Sequence, residues 1–258
     1  MNKVLKYSLA ILSAVVFICV TALIHTRVSA RKHLITCNAL NIEFRDSLHF
    51  VDEDDIKAYL ENDCPVFIGQ RIDSVDLCGM EKMLDSKSAI LKSEVWASGD
   101  GTLNISISQR EPVAMLKTAD HSFYIDDRGF IFPVQGEIAD VQLIEGSIPL
   151  HEPKGYKGVA TSAEGRAWIE SMLKLLDYMN RSRKWNGKFE KISVLPGGDL
   201  TLKPREGRET FIFGKADGIE DKFARIAKYY GSIVPAVEKD RYATVSVKYK
   251  GQIVCRKK

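Results

Sequence analysis

The 258-residue chain is 45% hydrophobic and 28% charged, with a formal net charge of +3 at pH 7. Those fractions are ordinary for a globular protein and exclude a disordered stalk, and the small charge, spread along the chain, makes no case for nucleic acid. Five cysteines occur without a C-x-x-C pair, which gives no support to zinc or thioredoxin-like chemistry.

The first element is the uncharged run from Tyr7 to Thr26, which carries Leu9, Ile11, Leu12, Val15, Val16, Phe17, Ile18, Val20, Leu23 and Ile24. At about 1.5 Å per helical residue it spans about 30 Å, the thickness of a bilayer's hydrocarbon core. A single transmembrane helix over 7–26 is therefore expected, behind a short tail, 1–6. A secretory signal peptide competes, because Lys3 and Lys6 form a basic start and Val28-Ser29-Ala30 resembles a cleavage site. The run exceeds the usual signal core, and Arg27 sits where a cleavage region is normally uncharged, which favours an uncleaved anchor. Lys3 and Lys6 face Arg27, Arg31 and Lys32 across the run, so charge alone does not set the orientation.

A strand is expected over Leu34 to Phe44, where Leu40, Ile42 and Phe44 alternate with Asn41 and Glu43. Asp52 then caps a helix whose acidic first turn, Glu53 to Asp55, suits the positive end of the dipole, with Ile56, Tyr59 and Leu60 on one face. The acidic run lacks the spaced ligands and turn glycine of a calcium loop. A second short helix, Leu77 to Leu84, carries Leu77, Met80 and Leu84 as a stripe. Ile90 to Trp96, the turn Gly99-Asp100-Gly101, and Leu103, Ile105 and Ile107 alternating with Asn104, Ser106 and Ser108 predict a hairpin with one buried face. The order strand, helix, helix, strand, strand makes a compact α+β unit.

Glu111-Pro112 marks a boundary. Strands follow at Val113 to Leu116, Phe123 to Ile125 and Phe130 to Phe132, the last two joined by Asp126-Asp127-Arg128-Gly129. Gly146 to Gly158 is expected to be a surface connection. Ser162 to about Ser182 forms an amphipathic helix with Trp168, Met172, Leu175, Leu176 and Met179 in register. Strands are expected at Phe189 to Val194, Leu200 to Lys203 and Thr210 to Phe213, then a helix from Asp217 or Gly218 to near Gly231. The last element, Ala243 to Tyr249, alternates Val245, Val247 and Tyr249 with Thr244, Ser246 and Lys248, and Gly251 and Gln252 interrupt it before Ile253 and Val254.

Residues suited to catalysis do not assemble into a motif. Gly207 and Gly214-Lys215 miss the phosphate-loop spacing, there is no H-E-x-x-H, G-x-S-x-G or G-x-G-x-x-G, and the five histidines are isolated in sequence. Asp126-Asp127 has the composition of a tight turn rather than of an acid/base pair. Cys37, Cys64, Cys78 and Cys255 can form two bridges in an oxidising compartment, but no spacing suggests a framework and structural free thiols are the simpler reading. No cofactor, metal or small-molecule substrate is expected, and no enzyme.

The order of motifs resembles the bacterial FtsQ/DivIB cell-division family. The resemblance is carried by Phe50-Val51 with Ile56 and Leu60, by Gly101-Thr102-Leu103-Asn104-Ile105, and by Gln109-Arg110-Glu111-Pro112-Val113-Ala114. Tyr124-Ile125-Asp126-Asp127-Arg128-Gly129 and the ending Val245 to Val254 complete it. It implies one membrane span, a POTRA domain (β-α-α-β-β) at 34–110 and a C-terminal mixed β domain with two helices at 111–258. It further implies a non-catalytic scaffold at the division septum of the inner membrane, N-terminus cytoplasmic and domains periplasmic, that recruits single-span partners of the FtsB/FtsL type. The terminal strand would accept a partner by strand addition through Thr244, Val245, Ser246, Val247, Lys248, Tyr249, Gly251 and Gln252, with Tyr249 as aromatic anchor or, alternatively, as a side chain closing the core. The POTRA unit would be a second docking module. An envelope enzyme would require a cleft of convergent His, Asp or Glu side chains, and an envelope-assembly receptor would carry several POTRA units and a barrel.

Overall fold

The computed structural model describes residues 12, 14–23, 35–134, 139–237 and 241–257. Residues 14–23 are helical, and the rest of the Tyr7–Thr26 run, Leu12 apart, lies outside the described residues. Among the described residues no helix is long and apolar enough to cross a membrane. The chain divides into two compact units, one ending at Gln109 and the other beginning at Arg110.

The first unit runs β1 (Ala39–Phe44), α1 (Glu53–Asp63), α2 (Leu77–Asp85), β2 (Ile90–Ala97) and β3 (Thr102–Gln109). Its sheet order is β1-β3-β2, with β1 parallel and β2 antiparallel to β3. Asp52 caps α1 as expected: its carboxylate accepts from the Asp55 N–H at 2.9 Å, and Asp55 accepts from the Asp52 N–H at 3.2 Å, a reciprocal pairing that satisfies two orphan donors. Ile56, Leu60, Met80 and Leu84 pack with Leu103, Ile105 and Ile107 to form the core.

On β2 the hairpin keeps the expected open face, with Lys92 and Trp96 exposed, but on β3 two residues of that face are buried as well. Asn104 and Ser106 are less than a tenth exposed, because β3 is the central strand and both neighbours project over it. Their polar groups are met there: Asn41 donates to Asn104 at 3.1 Å, and Arg45 donates to Ser106 at 2.7 Å while pairing with Glu94. The outer edge of β2 is closed by α2, whose Asp85 accepts from the Ser93 N–H and whose Glu81 accepts from the Val95 N–H. That leaves β1 as the unit's other edge.

Gln109 locks the β1–α1 loop onto this sheet. Its buried amide oxygen accepts from the Phe50 and Val51 N–H groups, both at 3.0 Å, and its amide nitrogen donates to Asp46 and to the Leu48 carbonyl. Gln109→Ala strands two buried N–H donors and is expected to destabilise the unit by about 2–4 kcal/mol. Loss of amide-exchange protection along β3 measures it.

The second unit holds β4 (Pro112–Lys117), β5 (Ser122–Asp126), β6 (Ile131–Pro133), β7 (Gln142–Gly146), α3 (Ala163–Arg181), β8 (Phe189–Val194), β9 (Leu200–Pro204), β10 (Thr210–Gly214), α4 (Ile219–Lys228), β11 (Tyr242–Ser246) and β12 (Val254–Lys257). They form one mixed sheet in the order β12-β11-β10-β9-β8-β7-β4-β5-β6. The pairs β7/β8 and β10/β11 are parallel. Each therefore requires a crossover, supplied by α3 and α4 respectively. The two helices share a face of the sheet, with Tyr178 of α3 stacked on Phe223 of α4 at 5.1 Å.

Ser162 and Ser182 flank α3, Ser162 accepting from the Gly165 N–H. Ile169, Met172, Leu175, Leu176 and Met179 are buried, while Trp168 is only partly covered. The expectation that Gly146 to Gly158 lies at the surface is corrected. Ile148 and Leu150 are buried against the core, and the buried Glu152 accepts from Thr161. The fourth helix also differs: beyond Lys228 the chain continues through a π turn, Tyr229–Ile233, and a 3-10 turn, Val234–Ala236. The widened turn lets the consecutive Tyr229 and Tyr230 both reach Phe211, at 5.5 and 5.6 Å.

Asp126 is the hub of the β5–β6 turn. One carboxylate oxygen accepts from the Arg128 N–H at 2.9 Å and the Phe130 N–H at 2.8 Å; the other takes the Arg110 guanidinium at 2.8 Å. Asp127 is exposed, so the two carboxylates do not share a site.

Candidate partner-binding surface

Two strands end the large sheet, and they are not equivalent. The outer side of β6 is covered where Ile131 exchanges both backbone hydrogen bonds with Gly158. Among the described residues β12 has no strand on its outer side. An unpaired edge of this kind is a ready template for an added strand.

The expectation that 244–249 forms the terminal strand is corrected in this region. β11 ends at Ser246 and is enclosed, pairing with β10 on one side (Thr210↔Thr244, Phe211↔Val245) and with β12 on the other (Val245↔Cys255, Ser246↔Val254). Val245 and Val247 are fully buried and serve the core, whereas Thr244 and Ser246 are half-buried. The Val247 N–H still donates to the Ile212 carbonyl, and the Val247 carbonyl accepts from Arg225 of α4 at 2.8 and 3.2 Å. Past that point the chain leaves the sheet.

Lys248, Tyr249, Gly251 and Gln252 lie on the exposed turn that carries β11 into β12. The Gln252 N–H donates to the Tyr249 carbonyl, and Gly251 takes φ 71°, a left-handed conformation that glycine adopts without penalty. Lys248 lies across Gly214, where a Cβ would come within 2.8 Å of its stem, and reaches Asp199 at 2.5 Å. The hydrogen bond to Asp199 raises the pKa of its ammonium. Its charge also sits 5.9 Å from the Tyr249 ring centroid. Tyr249 is 57% exposed, so it does not close the core.

β12 was the element the pattern concealed. Gly251-Gln252 reads as an interruption of one strand, whereas the glycine reverses the chain and returns Val254–Lys257 antiparallel to β11. Val254 is exposed, as are Arg256 and Lys257, which point to opposite faces of the edge strand and make it basic on both. Cys37, Cys64, Cys78 and Cys255 are free thiols. Burial raises the pKa of Cys37, Cys64 and Cys255, which disfavours the reactive thiolate. No metal-ligating cluster of His, Cys, Asp or Glu is present among the described residues.

Comparison with known families gives two matches. A model described as FtsQ/DivIB, C-terminal related, matches residues 111–256, and a POTRA-like domain model matches residues 35–108. No curated protein matches the chain. With the first model spanning more than half of its length behind a POTRA-like domain, the chain belongs to the FtsQ/DivIB family.

Proposed function

We propose that this protein is a non-catalytic, membrane-anchored scaffold of the division septum that captures other single-span division proteins, of the FtsB/FtsL type, by strand addition to β12. The observation that carries this reading is the asymmetry of the sheet: β6 is closed by Gly158, while β12 is open and flanked by an exposed tyrosine. Backbone hydrogen bonds along the edge supply affinity, and Tyr249 with Lys248, Gly251 and Gln252 supplies the adjoining side-chain contacts. Thr244 to Val247 lie behind them as the strand on which β12 is built. Arg256 and Lys257 deter indiscriminate pairing and favour an acidic incoming segment.

The POTRA-like unit is a second docking module, with β1 as the edge that α2 does not close. Anchoring rests on the Tyr7–Thr26 run. Val15, Val16, Phe17, Ile18, Val20 and Leu23 are all exposed on residues 14–23, an apolar surface that a bilayer covers and water does not. In this reading the residues before the run lie on the cytoplasmic side and both units lie outside the inner membrane. Confinement of both partners to one membrane raises their effective concentration, so a short edge suffices. A fluorescent fusion in dividing cells is expected to form a mid-cell band, whereas a uniform envelope signal overturns the septal assignment.

A further inference from the structure

The second unit contains a cavity of about 620 Å³ between the β9–β10 turn and the helical segment that follows α4, within the usual size of a ligand pocket. Its walls include Trp185, Tyr229, Tyr230 and Tyr242, and Glu209 contributes a carboxylate. Glu209 is 5% exposed. Among the described residues its single hydrogen-bond donor is the Tyr230 hydroxyl, at 2.9 Å to Oε1, and no lysine or arginine forms an ion pair with it. Burying a carboxylate without a cation is costly, and the site is shaped to hold one there. Gly207, at φ 111°, brings its backbone so close that a Cβ would lie 2.6 Å from Glu209 Oε2. Burial, and then the Glu209 charge, raise the pKa of the Tyr230 hydroxyl, which keeps it a donor.

We propose that this cavity is a receptor for a lysine or arginine side chain of a partner polypeptide, its cation seated against Glu209 and its aliphatic stem against the aromatic walls. A cation supplies the missing counter-charge to Glu209 Oε2, and aromatic faces add cation–π attraction. Trp185 already makes such a contact with Lys184, whose ammonium lies 5.1 Å from a ring centroid. A second carboxylate, Glu206, lines the cavity, as do the cations of Lys184, Lys188 and Arg241. These cations would repel a lone cation, so the segment that presents the basic residue carries acidic neighbours. The occupant is therefore a basic side chain embedded in an acidic stretch, and the site is separate from the exposed turn at Tyr249.

The test is an NMR titration of the full chain in neutral detergent micelles, read at the Trp185 indole N–H, which Trp185→Phe assigns. The probes are acetyl-Glu-Lys-Glu-amide, its norleucine counterpart and n-butylammonium. The lysine peptide is expected to shift the resonance saturably, with the norleucine peptide at least about tenfold weaker. Glu209→Gln is expected to abolish that preference. Equal titration by the two peptides in the unmodified chain overturns the proposal, and that comparison stands even where Glu209→Gln perturbs folding. Butylammonium binding as tightly as the lysine peptide overturns the polypeptide assignment.

Discussion

Replacing Asp126 with alanine is expected to lower the stability of the C-terminal unit by about 3–5 kcal/mol, the range for removing one member of a buried ion pair. The Arg110 and Asp126 side chains are 12% and 4% exposed, and the guanidinium carbon lies 3.6 Å from the Phe130 ring centroid. Without the carboxylate, a desolvated guanidinium and the Arg128 and Phe130 N–H groups all lose their acceptor. Arg110→Met should cost less. Asp126 keeps its two backbone donors in that variant, the methionine stem can lie on Phe130, and Arg110 Nε is already buried without a hydrogen-bond partner among the described residues. Urea unfolding of the full chain in neutral detergent measures both. A loss below about 1 kcal/mol for Asp126→Ala would show that the turn is held by its backbone rather than by its carboxylate, and a larger loss for Arg110→Met would show that the ion pair outweighs the two N–H bonds.

That turn illustrates what a chain discloses about itself. Asp126-Asp127-Arg128-Gly129 is recognisable as a turn because its chemistry is local: carboxylate and N–H groups lie within four residues. The Asp52 cap and the stripe of α3 are legible for the same reason. Features that depend on which strands become neighbours are not. Asn104 and Ser106 have the spacing of an exposed face, and only the placement of β3 between β1 and β2 buries them. Ile148 and Leu150 lie in a stretch whose glycines and prolines suggest a surface loop, and they enter the core because β7 sits between β4 and β8. The candidate surface divides likewise. Tyr249 and Gly251 stand out by residue type, but the open edge belongs to β12, since Gly251 turns the chain back instead of interrupting a strand. Arg225, Asp199 and Gly214, which fix the end of β11 and Lys248, come from distant segments and leave no pattern near the site.

Tyr249→Glu is expected to weaken capture of the partner strongly while leaving the protein folded and membrane-bound. The ring is more exposed than covered, so its replacement removes little packing from the core. An aromatic anchor at the rim of an added strand is a hot-spot position, and its loss weakens binding by about 30-fold. The new carboxylate would also repel an acidic incoming segment. Because membrane confinement can mask a moderate loss of affinity, the measurement pairs mid-cell recruitment of the partner with direct binding of the partner's extramembrane segment. Backbone pairing is tested separately by Val254→Pro and Cys255→Pro. Successive N–H groups along a strand point to opposite sides, so one proline removes a bond to β11 and the other removes an outward donor. The proline that leaves stability intact is expected to abolish binding. If it binds normally, strand addition at β12 fails; if Tyr249→Glu binds normally, the edge stands and the anchor lies elsewhere on the turn.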